Sequence, residues 1–348
     1  FYNGYASGKL DSVGKPATSE HDGPQGLALN DNNGNSWVNA CSFPSETTMA
    51  QTFNVELAEA MGEAVGEENY YIDGGGWYAP AVNLHWSAFS GRNYEYYSED
   101  PLISGKMAAN VIAGAGSKGT YCAFKHFAMV DQEEQRWWIP SVWATEQTIR
   151  EIYLKPFETG VKEAMKTIKY ISDDNGTVST KTMRAADCMM TSGWAGIGGL
   201  YSGYSYNLLT SVLRDEWGFQ GFVITDYDQG NGANDDIAVN RMVRAGVDQH
   251  MIDKTLSPGN YTSTDTATGR MALRNAVKHT LYTMANSAQT NNLVPGAKMY
   301  YRMSPWRIGV VAVDVVIALG VALGVIAMVK RAKDEKEHPE HYKAKKAK

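Results

Sequence analysis

The stretch Gly91-Arg92-Asn93-Tyr94-Glu95-Tyr96-Tyr97-Ser98-Glu99-Asp100-Pro101, followed a helix later by Lys125-His126-Phe127, decides how this chain reads. An Arg on a Gly-led loop and a Lys-His pair closing an apolar run supply hydrogen-bond donors suited to hydroxyl-rich ligands. Nearby aromatics (Trp77, Tyr78, Trp86, Tyr94, Tyr96, Tyr97) offer flat faces of the kind that pack on sugar rings. Ser98 to Pro101 provides capping residues and a proline near the first turn, which predicts a helix running to about Gly116. Thr120 to Phe127 then reads as a strand with Lys125 and His126 at its C-terminal end.

Taken together, these residues resemble glycoside hydrolase family 3, the β-glucosidase and β-xylosidase family. Further motifs stand in the family's order: Asp22-Gly23-Pro24-Gln25-Gly26 upstream, then Asp131-Gln132-Glu133 and Gly221-Phe222-Val223-Ile224-Thr225-Asp226-Tyr227 downstream. The resemblance covers roughly Glu20 to Ser287. It implies a (β/α)8 TIM-like barrel, incomplete at its N-terminus, and retaining glycosidase chemistry, which needs a nucleophilic carboxylate and a separate acid/base. It implies Asp226 as the nucleophile, Asp22 as acceptor from sugar hydroxyls, and Arg92, Lys125 and His126 as donors, with Arg136 a further candidate. By position alone, an Asp after an apolar strand serves equally well as a helix cap or turn residue.

Three positions depart from the family pattern, the last of them in a segment that shapes the pocket. His85-Trp86 stands where His-Arg is common, Val130 where an Asn is common, and Gly193-Trp194 where an aromatic-Asn pair is common. The acid/base is also missing. In the larger branch it is a Glu on a separate α/β sandwich domain, and Lys125-His126-Phe127-Ala128-Met129-Val130 does not continue into the His-containing loop of the smaller branch. A sandwich domain upstream of Phe1 is the expected partner, as in relatives with reversed domain order. A rival reading, a membrane-tethered barrel that binds glycans without turnover, rests on the changes at Val130 and Gly193-Trp194.

The rest of the chain fits strands alternating with helices around a parallel sheet. Residues 1 to 47 are rich in Gly, Asn, Ser and Asp and read as a loop-rich lead-in to a barrel over 48–290. Apolar residues at Met49, Phe53, Leu57, Met61 and Val65 predict an amphipathic helix from Thr47 to Glu67. Helices are expected from Thr145 to Ala164, Tyr206 to Trp217, Asp235 to Ala245 and Ala267 to Ser287. Strands are expected at Asp187 to Ser192, Gly221 to Thr225 and Val247 to Ile252. Asn175-Gly176 amid alternating residues predicts a two-residue hairpin turn within Thr167 to Thr182, an insertion relative to the family. Five or six such units are clear, so the eightfold count comes from the resemblance.

Charge and cysteine usage narrow the partners. The net charge is −6, yet after Val329 eight Lys or Arg face four Asp or Glu, so the first 329 residues carry −10. An acidic body argues against nucleic acid, whose binding leans on clustered cations. Cys41, Cys122 and Cys188 show no metal-ligand spacing, and nothing implies a cofactor. Phe1-Tyr2-Asn3-Gly4 lacks the basic start and apolar core of a signal peptide. After a linker over 291–307, Ile308 to Val329 is almost wholly apolar and about 33 Å long as a helix, enough for a bilayer core of about 30 Å. Lys330-Arg331-Ala332-Lys333 follows, so the basic tail over 330–348 is expected in the cytoplasm and the body outside.

Overall fold

In a computed structural model of the chain, residues 2–3, 6–28, 40–130, 141–193, 196–227, 235–252, 259–291, 303 and 305–343 are described. The strands in chain order are β1 (Tyr2–Asn3), β2 (Ala6–Ser7), β3 (Thr18–Asp22), β4 (Gly74–Tyr78), β5 (Tyr121–Phe127) and β6 (Ser141–Val142). Next come β7 (Met165–Ile171), β8 (Val178–Arg184), β9 (Cys188–Thr191), β10 (Gly196–Ile197), β11 (Leu200–Tyr201), β12 (Phe222–Ile224) and β13 (Met251–Ile252).

Eight of these form one sheet in the order β12-β9-β5-β4-β3-β2-β1-β13. The pairs β3–β4, β4–β5, β5–β9 and β9–β12 are all parallel, as is β1–β13. The sheet closes through a parallel bridge between Ile224 and Gln249, with Thr225 N–H donating to Gln249 O at 3.1 Å and Gln249 N–H to Val223 O at 3.0 Å. The result is a TIM-barrel-like α/β fold with one strand reversed, because β2 pairs antiparallel with both β1 and β3. The lead-in read as loop therefore contributes three strands, including the one that ends in Asp22.

Strand parity explains why these runs look uniformly apolar. Tyr121 and Ala123, Cys188 and Met190, and Phe222 and Ile224 pack with Tyr78, Met251 and Met284 in one cluster. Their neighbours Cys122, Phe124, Met189 and Val223 belong to a second, larger cluster with the helices. Successive side chains point to opposite faces, so the first cluster fills the barrel and the second lies between sheet and helices. Lys125 shares the parity of Tyr121 and Ala123, which turns it inward at the strand's C-terminal end.

Helix α1 (Glu46–Gln51) and helix α2 (Val55–Tyr71) replace the single helix expected from Thr47. Phe53 takes φ +50°, and Asn54 opens α2 by accepting from Leu57 N–H at 3.0 Å. The break turns Phe53 and Leu57 to solvent, while Met61 and Val65 stay buried with Ala58, Gly62 and Gly66 beside them. Helix α3 (Pro101–Ser117) is capped by Asp100, which accepts from Leu102 and Ile103 N–H. The two helices touch backbone to backbone: a Cβ on Gly62 would lie 2.2 Å from Val111 O, and one on Gly114 2.1 Å from Glu59 O.

The segment expected as one helix from Thr145 is divided into Glu146–Thr148, a π-helical turn Ile149–Tyr153 and Lys155–Glu163, where Pro156 cannot donate to the ladder. The β7–β8 hairpin turns through four residues, not two: Ser172 N–H donates to Thr177 O, and Asp173 Oδ1 accepts from both Asn175 and Thr177 N–H. Asp173 imposes the longer loop. Helices Asn207–Glu216, Asp236–Ala245 and Ala267–Ala285 stand near the expected positions.

Residues 296–348 form a separate unit. Its helix, Pro305–Glu337, is 33 residues long with a mean hydropathy of 2.7 over its most apolar window, and it is a candidate membrane span by length and composition. It extends past Val329 through Lys, Glu and Ala, which are good helix formers. Tyr342 folds back, donating to Asp334 Oδ2 at 2.7 Å and lying under the Arg331 guanidinium.

Candidate active site

The C-terminal ends of β3, β5 and β12, with the turn after β9, meet at one mouth of the barrel. Asp22 ends β3 and Lys125 lies near the end of β5, and Lys125 Nζ donates to Asp22 Oδ1 at 2.6 Å. The Lys125 side chain is 4% exposed and that of Asp22 38%, so the ammonium is enclosed while the carboxylate faces the opening. Gly23 N–H donates to the same Oδ1 at 2.8 Å, and Trp77 Nε1 holds the following turn through Gly23 O at 2.8 Å. Burial opposes ionisation of Asp22, but the Lys125 ammonium, these hydrogen bonds and the Arg92 guanidinium together hold its carboxyl below the usual range. Burial likewise opposes the charge on Lys125, but Asp22 and Glu95 outweigh it and raise its pKa.

Arg92 reaches the same region from the loop after β4. Its Nε is paired with Glu95, and its guanidinium lies 3.0 Å from His126 Nε2. Asn83 fixes the ring: Nδ2 donates to His126 O, while Oδ1 accepts from His126 N–H at 2.8 Å and lies 3.2 Å from Nδ1. That pattern puts the proton on Nδ1 and leaves Nε2 to accept from Arg92. His126 thus orients Arg92 in this structure.

Beneath the cluster, Glu46 accepts from Ala81 N–H at 3.1 Å. Burial drives the pKa of Glu46 well above the carboxylate range, and that of its neighbour Tyr97 up as well. Glu46, Asn83 and Glu95 are supporting residues to which the sequence reading gave no role, and Tyr97, read as a sugar-facing aromatic, lies buried beside Glu46. Glu95 and Tyr97 lie inside the quoted loop, and the i,i+3 spacing from Arg92 to Glu95 was an available signal. Glu46 and Asn83 carry no sequence signal.

Asp226 stands two residues beyond β12, half-buried, with Tyr227 N–H donating to its Oδ1 at 2.7 Å. It borders a crevice of about 10 Å³ with Thr191, Gly193, Tyr201, Tyr204 and Met242. A larger depression of about 640 Å³ lies elsewhere, among Arg150, Glu158, Lys162 and Glu216, away from the strand ends. Its charges pair with one another, so the mouth of the barrel is the better candidate. Arg136 and Asp131-Gln132-Glu133 lie outside the described residues, as does Trp194. Of the aromatics expected to face a sugar, Trp77, Tyr78, Tyr96 and Tyr97 are buried, while Trp86 and Tyr94 are exposed. Among the described residues no cluster of three or more His, Cys, Asp or Glu is arranged to hold a metal.

A family model described as the glycosyl hydrolase family 3 N terminal domain matches residues 24–286. The chain belongs to glycosyl hydrolase family 3. It is 38% identical to β-glucosidase A of Butyrivibrio fibrisolvens over 225 residues, 65% of this chain and 24% of that protein. It is 32% identical to an exo-α-(1->6)-L-arabinopyranosidase of Bifidobacterium breve, over 65% of this chain and 28% of that one. The solved structure of β-glucosidase 3B from Thermotoga neapolitana in complex with glucose superposes with a TM-score of 0.65 at 31% identity, covering 81% of this chain and 37% of that chain. The chain therefore spans about a quarter of the length of these curated relatives.

Proposed function

We propose that the barrel is the nucleophile-bearing part of an exo-acting retaining β-glycosidase that removes β-glucosyl or β-xylosyl units, tethered to a membrane and facing outward. The reading is carried by one observation: separate parallel strands deliver Asp22, Lys125 and Asp226 to the same mouth. Lys125 and Arg92 donate to hydroxyls of the sugar and Asp22 accepts from them, charge-assisted bonds in a partly dry pocket. Asp226 attacks the anomeric carbon through a carboxylate oxygen, forming a glycosyl-enzyme ester as the leaving oxygen departs. An acid/base Glu on an α/β sandwich domain outside these residues protonates that oxygen and later activates water. The helix Pro305–Glu337, followed by a Lys-rich tail, supports the tether and its sidedness.

These roles make the two chemical steps unequal in the isolated chain. An activated aryl leaving group needs little protonation, whereas release of the ester needs a base. Incubation with a dinitrophenyl 2-fluoroglucoside should place one sugar on the peptide containing Asp226, read by mass spectrometry. Azide, which needs no base, should speed turnover of the unfluorinated aryl glucoside and give a β-glycosyl azide. No adduct on folded protein, or an adduct that survives Asp226→Ala, moves the glycan-binding barrel to first place.

A further inference from the structure

Gly193, in the turn after β9, stands directly against the Asp226 side chain. Its φ is +22°, and a Cβ built on it would lie 2.7 Å from Asp226 Cβ and 3.2 Å from Asp226 Oδ2. Carbon atoms in favourable contact sit about 3.5–4.0 Å apart, so 2.7 Å is a hard overlap. Rotating the Asp226 carboxylate cannot relieve it, because the overlap is with the Cβ, whose place is set by the backbone.

The two neighbouring segments are also held. Asp226 Oδ1 accepts from Tyr227 N–H at 2.7 Å. Next to Gly193, Ser192 N–H donates to Phe127 O at 2.9 Å and to Ser202 Oγ at 3.0 Å, and Ser192 Oγ donates to Ser202 Oγ at 2.8 Å. A side chain at 193 therefore has to shift one of two anchored turns. We infer that Gly193 is a positioning residue for Asp226, its bare Cα setting where Oδ2 stands at the barrel mouth. The inference rests on the reading of Asp226 as the nucleophile. Attack needs reacting atoms about 3–3.5 Å apart, and a displacement of about 1 Å costs on the order of 100-fold in rate.

The test uses the full chain in detergent, with Gly193→Ala, Gly193→Ser and the control Gly199→Ala. Gly199 has φ +81° and its Cβ would find only Ser141 Oγ, at 4.0 Å, so this control carries backbone strain without contact to Asp226. Both Gly193 variants should self-label with the 2-fluoroglucoside at least tenfold more slowly than wild type. Their glucose affinity by calorimetry should stay within about twofold, because Lys125 is held by Asp22 and Arg92 by Glu95, and the Cβ added at 193 meets Asp226. Gly199→Ala should label within about threefold of wild type. A stability cycle guards against poor folding: the drop in melting temperature caused by Gly193→Ala should shrink to about that of Gly199→Ala when Asp226→Gly removes the opposing Cβ, because only the backbone strain then remains. Wild-type labelling rates in Gly193→Ala, an equal loss in Gly199→Ala, or a stability loss undiminished beside Asp226→Gly each overturn the proposal. Failure of the wild type to label removes the nucleophile reading itself, and this inference with it.

Discussion

Two Lys–Asp pairs, both at 2.6 Å, occupy opposite roles in this barrel. Lys125–Asp22 sits at the C-terminal strand ends with the carboxylate part-exposed; Lys166–Asp187 has side chains 0% and 1% exposed. Lys166 also donates to Asn286 O at 3.2 Å, tying the β7–β8 hairpin to the end of helix Ala267–Ala285 and to the residue before β9. Burial raises the pKa of Asp187 despite its Lys partner, whereas that of Asp22 is lowered despite burial. The same bond length therefore serves different ends. A sealed pair is a structural tie whose charge is costly to bare, and a pair open on one side keeps an ionised carboxylate ready for a ligand.

The largest effect expected from this contrast is at the sealed pair. Lys166→Met leaves Asp187 buried without its partner and should cost about 3–5 kcal/mol in a urea titration. Adding Asp187→Leu should restore much of that loss, and a double mutant no better than the single one breaks the comparison. Next comes Lys125→Ala, which should weaken glucose binding by about 1.5–3 kcal/mol, roughly one to two decades in calorimetry. Equal affinities would reduce Lys125 to a structural residue like Lys166.

A smaller effect follows from the sign of the Asp22 shift. Its pKa is lower in the folded state, so its stabilisation is present above the unfolded value of about 3.9 and is lost as pH falls through the folded one. The stability difference between wild type and Asp22→Asn should be flat above about pH 5 and shrink below pH 4; growth of the difference in acid reverses the assignment. The smallest effect belongs to Arg150–Glu216, a two-bonded pair at the surface. Arg150→Ala should cost about 0.2–1 kcal/mol, read as a small shift in urea midpoint.

Much of the fold was legible because burial on both faces leaves an unmistakable trace. Strands β5, β9 and β12 read as short apolar runs bounded by Gly and polar residues, and the caps Asp100, Thr145 and Asp235 marked helix starts by their local chemistry. The first three strands were not legible: β1 and β2 are two residues each and show no periodicity, and β3, Thr-Ser-Glu-His-Asp, has no apolar residue to mark it. The break at Phe53 was hidden because Met49, Phe53 and Leu57 keep helical spacing across it. Asp22, Arg92, Lys125, His126 and Asp226 were named from motifs. Their supports Glu46 and Asn83 were invisible, being set by contacts across 35 and 43 residues of chain.

By itself the amino-acid sequence determined the family, much of the alternation of strands and helices after β3, the apolar C-terminal helix and the identities of the charged residues at the mouth. These depend on local pattern and on motifs whose spacing is written in the chain. Only the tertiary structure decided that β2 runs backwards, that the sheet closes through Gln249, that His126 faces Arg92, and that Gly193 abuts Asp226. Each of these is a distance between residues far apart in the chain, and such distances are set by how the whole barrel packs.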